Sequence, residues 1–169
     1  MAKVYALFIF IIAAITDAYD GYLARKYNQI TPEGKFLDPI ADKILVISAF
    51  ISFAVIEIID FWMVGLIIFR DLFITGLRLA MSGSGFEFVT SKLSKYKTAF
   101  QLTIIILTLL FISAEGLGMR TLLPTIKIIK EYKIIYILTG FTTIFTVYTG
   151  ILYVYANRLL IKKYLKGNN

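Results

Sequence analysis

The stretch TDAYDGYLARKYNQITPEGKFLDPIADK, Thr16 to Lys43, decides how this chain is read. It lies between two apolar runs, VYALFIFIIAAI (4–15) and ILVISAFISFAVI (44–56). Four aspartates, Asp17, Asp20, Asp38 and Asp42, therefore sit between and partly inside segments that read as membrane. Asp17, Asp20, Gly21, Ala24 and Arg25 are spaced i, i+3, i+4, i+7, i+8, which is one face of an α-helix. Gly34, Asp38 and Asp42 are spaced i, i+4, i+8 and share a face of a second helix. Two antiparallel neighbours joined by a short loop would point four carboxylates at one another. Each costs about 2.5–3.5 kcal/mol at membrane depth before any mutual repulsion. Divalent cations between the helices would make the arrangement tenable. Gly21 and Gly34 leave room for a ligand to approach the backbone, and Arg25 offers a fork suited to phosphate oxygens. Taken singly, each aspartate could instead be a helix-end residue paired with Arg25 or Lys26, or the opening of a helix at Asp38-Pro39.

Outward from this stretch the chain remains apolar. Its 169 residues are 59% hydrophobic, a composition of integral membrane proteins. It has no Cys and no His. Disulfides, thiolate metal sites and every Ser-His-Asp arrangement are thereby excluded, and any metal must be held by oxygen, as Mg²⁺, Mn²⁺ or Ca²⁺ would be. The net charge is +7. In a membrane chain such an excess serves topology and attraction to anionic headgroups, and with no Arg–aromatic interleaving in a polar segment, no nucleic-acid partner is expected.

Five membrane segments can be drawn, each near the roughly 20 residues needed to cross: Val4 to about Lys26, Lys35 to Ile58, Phe61 to Met81, Tyr96 to Ala114 and Ile134 to Leu160. Asp60 marks a tight turn, SGSGFE (82–87) a loop, EGLGMRTLLP (115–124) a longer connection, and LIKKYLKGNN (160–169) a basic polar tail. No internal repeat or low-complexity linker interrupts the chain. The expected fold is one all-α domain over residues 1–169, a polytopic membrane helix bundle. With the 27–34 loop, the 82–95 loop and the C-terminus on the cytoplasmic side, most of the 18 basic residues fall there and Arg70 lies within a span. That bias predicts a multi-pass protein of the cytoplasmic membrane with its acidic motif facing the cytoplasm.

The residues read D17-x2-D20-G21-x2-A24-R25-x8-G34-x3-D38-x3-D42, which resembles the signature of the CDP-alcohol phosphotransferases. Eight fixed positions at roughly 6% each make a chance match at one site on the order of 10⁻¹⁰. The resemblance implies a membrane enzyme that displaces CMP from a CDP-linked lipid or alcohol by a hydroxyl acceptor. It implies two metal ions, Mg²⁺ or Mn²⁺, with Asp17 and Asp38 bridging both, Asp20 holding one and Asp42 the other. By the same likeness Asp42 is the general base, and Asp17, Asp20, Gly21, Ala24, Arg25, Thr31 and Gly34 belong to the CDP-lipid site. An Asp near its reference pKa of about 3.9 is a feeble base for an alcohol, so that role needs a hydroxyl already acidified by metal or hydrogen bonding.

A second polar set lies in FRDLFITGLR (69–78) and SKLSKYKTAFQ (91–101). Arg70 and Arg78 are eight apart on one helical face, Arg70 deep with Asp71 beside it, and Lys92, Lys95 and Lys97 precede the fourth span. Lys92 and Lys95 read equally as solvated loop charges and Arg78 as a snorkelling helix-end residue. As a cluster, Arg70, Arg78, Lys95 and Lys97 read as a pocket for the phosphate of a second substrate. With GKFLDPIADK (34–43), these segments resemble the branch of the family that moves a phosphatidyl group from CDP-diacylglycerol to sn-glycerol 3-phosphate. Inositol phosphate or phosphatidylglycerol as acceptor stays open, and so does a different class, a divalent-cation transporter, although Arg25 and the basic face would repel cations. Family members usually carry six spans, with an interfacial helix and one membrane helix before the motif-bearing one. The expectation is thus of a missing first helix, a flank open to lipid or covered in a homodimer, and weakened turnover.

Overall fold

The computed structural model describes residues 2–27, 32–82, 92–118 and 122–165. Among them the chain is all α-helix: α1 (Ala2–Lys26), α2 (Pro32–Val55), α3 (Phe61–Ser82), α4 (Lys92–Gly116), α5 (Leu123–Glu131), α6 (Ile134–Ala156) and α7 (Arg158–Leu165). The five long helices, of 25, 24, 22, 25 and 23 residues, correspond to the five segments drawn from sequence. Tyr96–Gly116 and Ile134–Ala156 are both long and apolar enough to cross a membrane.

The molecule is a membrane helix bundle, and α6 shows why most plainly. Its buried face carries Thr139, Thr142, Thr143, Thr146, Thr149, Gly150 and Tyr153. Its outward face carries Ile137, Phe141, Ile144, Tyr148 and Ile151, with Ile144 68% exposed. That is inverted relative to a helix in water. In lipid the outer face costs nothing by being apolar, and small or hydroxyl side chains let helices approach closely. The threonines are satisfied by their own helix: Thr139, Thr142 and Thr143 each donate to the carbonyl four residues back, at 2.8, 2.9 and 2.8 Å. α1 likewise turns Phe8, Ile9 and Ile12 outward.

The apolar core is built from Phe50, Phe53 and Ala54 of α2, Met63, Val64 and Ile67 of α3, and Ile104, Ile105, Leu109 and Ile112 of α4. Phe50 and Phe53 meet edge to face at 6.3 Å. α4 is the hub: it packs on α1, α2 and α6, while α3 packs on α2 and α6. The two motif-bearing helices are thus both neighbours of α4.

The connections differ from expectation in two places. Within the 115–133 connection, residues 123–131 form α5, started by Pro124 in its first turn, where a missing N–H costs no bond. Ile126 is buried beneath it and its lysines are exposed, as for a helix lying in the interface. The fifth span ends at Ala156 rather than Leu160: Asn157 donates its side-chain N–H to Tyr153 O at 2.9 Å, and α7 begins at Arg158 as a separate basic turn pair. Among the described residues, sharp reversals fall on two left-handed non-glycine residues, Glu57 (φ 59°) and Lys133 (φ 48°), both at the end of the bundle remote from the acidic motif.

Candidate active site

α3 carries Arg70 and Asp71 at its middle. Successive helical residues diverge by about 100°, so the pair faces two neighbours at once. Asp71 turns toward α2 and α4, where it accepts two hydrogen bonds from Lys97 Nζ, each 2.7 Å, and lies 3.9 Å from Lys43 Nζ. Arg70 turns toward α6: one terminal nitrogen donates to Thr149 Oγ1 at 3.2 Å, the other back to Asp71 Oδ1 at 3.1 Å. The seat for Arg70 exists because residue 150 is Gly; a Cβ there would lie 2.7 Å from Arg70 Cγ. One helical turn from Lys97, Gln101 makes a weak 3.5 Å bond to Thr146 Oγ1.

Except for the half-buried Lys43, all of these side chains are inside the bundle. Lys97 is 2% exposed, Asp71 3% and Arg70 8%. A lone charge at such depth is costly, and a bidentate lysine with a neighbouring guanidinium supplies the compensation. Among the described side chains the balance is not neutral, however: three cations, from α2, α3 and α4, face one carboxylate. Among the described residues Arg70 Nε has no hydrogen-bond partner. The described cluster therefore carries excess positive charge and an unused donor in a low-dielectric place, a combination that suits an anionic ligand.

Of the acceptor residues expected from sequence, Arg70 and Lys97 are brought together. Arg78 lies two turns along α3, with its guanidinium 5.6 Å from the centre of the Tyr153 ring. The Lys95 side chain lies outside the described ones. Asp17, Asp20, Gly21, Ala24 and Arg25 fall within α1, and Gly34, Asp38 and Asp42 within α2; their side chains, and Thr31 altogether, are also outside the described residues. As a donor set the four aspartates fit hard divalent cations: the chain offers no His or Cys, so only oxygen ligands are available. The link between the two halves is Lys43. It directly follows Asp42 on α2, and its ammonium reaches Asp71.

Sequence reasoning did not single out Lys43, Thr149 or Gly150. The signal for Lys43 was its place at the motif's end together with an intramembrane Asp71 needing cations. Nothing local marks Thr149 and Gly150, which matter only because α6 packs on α3.

Fold and site define a class: a polytopic helical membrane protein with a buried Arg70–Asp71–Lys97 cluster, joined by Lys43 to the end of an aspartate-rich helix segment. Residues 1–147 match the CDP-alcohol phosphatidyltransferase family, and the chain belongs to it. It is similar to the CDP-diacylglycerol–glycerol-3-phosphate 3-phosphatidyltransferase of Bacillus subtilis (48% identity over 94 residues, 56% of this chain and 49% of that protein). It is similar also to the proteins of that name in Cereibacter sphaeroides (39% over 116 residues, 67% of this chain and 52% of that protein) and Rickettsia felis (35% over 149 residues, 88% and 78%). The chain thus spans about half the length of the first two, 49% and 52%, and more of the third.

Proposed function

We propose that this chain, as a single domain over residues 1–169, transfers the phosphatidyl group of CDP-diacylglycerol to sn-glycerol 3-phosphate. The acceptor hydroxyl oxygen attacks the phosphorus that bears diacylglycerol, the pyrophosphate P–O bond to CMP breaks, and CMP leaves. Asp42 takes the hydroxyl proton. Asp17, Asp20, Asp38 and Asp42 hold two divalent ions, Mg²⁺ or Mn²⁺, which when bound neutralise pyrophosphate oxygens and lower the pKa of the hydroxyl. Gly21, Ala24, Arg25, Thr31 and Gly34 hold the CDP-lipid, Gly21 and Gly34 by leaving room and Arg25 by charge. Arg70 and Lys97, together with Arg78 and Lys95, hold the acceptor phosphate. The site faces the cytoplasm, where both water-soluble substrate and CMP are exchanged, in the cytoplasmic membrane, and the protein is a homodimer.

The observation that carries this reading is the convergence on Asp71 of buried Arg70 and Lys97 and of half-buried Lys43, which lies one residue beyond Asp42. A pathway for divalent cations would not place an excess of positive charge there; a receptor for a phosphorylated acceptor would. The test is CMP release from CDP-diacylglycerol in mixed micelles against sn-glycerol 3-phosphate, inositol phosphate, phosphatidylglycerol and glycerol. Release with sn-glycerol 3-phosphate alone is the expected result, and release with glycerol alone would remove the phosphate pocket.

A further inference from the structure

We propose that Asp71 is a positioning residue for the acceptor: its carboxylate gathers Lys97, Arg70 and Lys43, from three helices, into one receptor for a phosphate dianion. The inference rests on the acceptor reading above and adds to it a residue that itself touches no substrate.

The donor inventory is the first argument. Lys97 spends two of the three protons an ammonium carries on the two Asp71 oxygens, leaving one among the described residues. Arg70 spends one N–H on Asp71 and one on Thr149, out of the five a guanidinium offers. Both side chains are thus held by Asp71 and, among the described residues, retain donors in a place where unused donors are costly. The second argument is charge. The formal sum of Lys43, Arg70, Lys97 and Asp71 is +2, and a phosphomonoester carries about −1.5 to −2 at neutral pH. The third is mutual repulsion. Three cations without a carboxylate among them would separate, each snorkelling along its own helix toward water. With Asp71 present they stay within reach of one ligand.

The competing account makes Asp71 only a staple between α3 and α4, and the two differ in what they do to anion binding. The experiment uses the full chain purified in detergent at one fixed Mg²⁺ concentration, so that the acidic motif contributes equally to every variant. Calorimetry measures binding of sn-glycerol 3-phosphate, of inorganic phosphate and of glycerol to the parent, Asp71→Asn, Asp71→Glu and the double variant Lys43→Met/Asp71→Asn. The double variant removes one cation with the carboxylate, so the charge excess is unchanged and folding is spared an unpaired cation. The parent is expected to bind both phosphates and not glycerol. Asp71→Asn and the double variant are each expected to bind them about tenfold or more weakly, with Asp71→Glu in between. In turnover the acceptor KM should rise by a similar factor while the CDP-diacylglycerol KM stays within about twofold. A staple would lower the yield or thermal midpoint and leave the KM of the surviving fraction alone. Phosphate affinity in the double variant within about twofold of the parent overturns the inference, as does a parent that binds neither phosphate. If inorganic phosphate binds in an Asp71-dependent way but sn-glycerol 3-phosphate supports no CMP release, the choice of acceptor fails and the role of Asp71 stands.

Discussion

Arg70 of α3 and Gly150 of α6 are in such close approach that a methyl group on Gly150 would lie 2.7 Å from Arg70 Cγ and 3.1 Å from its Nε. The obstructed atoms belong to the root of the side chain rather than its tip, so the whole guanidinium would have to swing away from Thr149.

Gly150→Ala is therefore expected to act on the acceptor and hardly on the fold. Mid-helix, Ala is favoured over Gly by about 1 kcal/mol, which offsets part of the displacement. Loss of the Arg70–Thr149 bond costs about 0.5–1.5 kcal/mol, up to about a tenfold rise in acceptor KM. The measurement is KM for sn-glycerol 3-phosphate together with the thermal midpoint. An unchanged KM in a protein of unchanged midpoint would mean that Arg70 does not hold the phosphate.

The five long helices were legible because lipid demands long apolar runs and because Asp60 and SGSGFE punctuate them. α5 and α7 were not, because at 9 and 8 residues their pattern is too short to stand out from polar connections carrying lysines. In the site, the split between legible and hidden follows distance along the chain. Arg70 and Arg78 share a helical face by spacing alone. That Arg70 is locked against α6 while Arg78 lies over Tyr153 depends on packing between segments some 75 residues apart, for which one sequence carries no local sign. Asp71 was visible beside Arg70, but its grip on Lys97, across 26 residues, was not.

Asp60, in the turn between α2 and α3, accepts hydrogen bonds on one oxygen from Tyr136 O–H at 2.6 Å and Trp62 N–H at 3.0 Å. Tyr136 foremost, then Trp62, hold its carboxyl below its ordinary value of 3.8. A depressed folded value means that the unfolded chain takes up the proton first as pH falls. The contribution is complete above 3.8 and disappears as pH drops through the lowered folded value. Tyr136→Phe should thus lower the thermal midpoint by a constant amount near neutral pH, with the gap from the parent closing in acid. A gap that persists unchanged to low pH would assign the tyrosine's contribution to packing alone.

The carboxylate motif makes an ordered set of expectations. Chelation should abolish CMP release, and Mg²⁺ or Mn²⁺ should restore it. If Asp17 and Asp38 are each shared between two ions, Asp17→Asn and Asp38→Asn should cost at least about 10²-fold in kcat/KM, and more than Asp20→Asn, which removes a ligand from one ion only. Equal losses at all three would argue against bridging, and full turnover in EDTA against the metal site itself.

Orientation can be read from chemistry the chain itself lacks. With no native Cys, single cysteines report without background. α5 precedes and α7 follows α6, whose 23 residues rise about 34 Å, enough to cross a hydrocarbon core of about 30 Å. Lys127 of α5 and Lys162 of α7 therefore belong on opposite faces of the membrane, with Lys162 on the side of the acidic motif. In intact cells a membrane-impermeant maleimide should label Lys127→Cys directly, and Lys162→Cys only after permeabilisation. Ile144→Cys, outward on α6 at mid-length, should resist the polar reagent in both conditions because lipid covers it. Labelling of Lys162→Cys in intact cells with Lys127→Cys protected would invert the proposed orientation while leaving the bundle intact. Ready labelling of Ile144→Cys would be more damaging, since the outward face of α6 would then meet water rather than lipid.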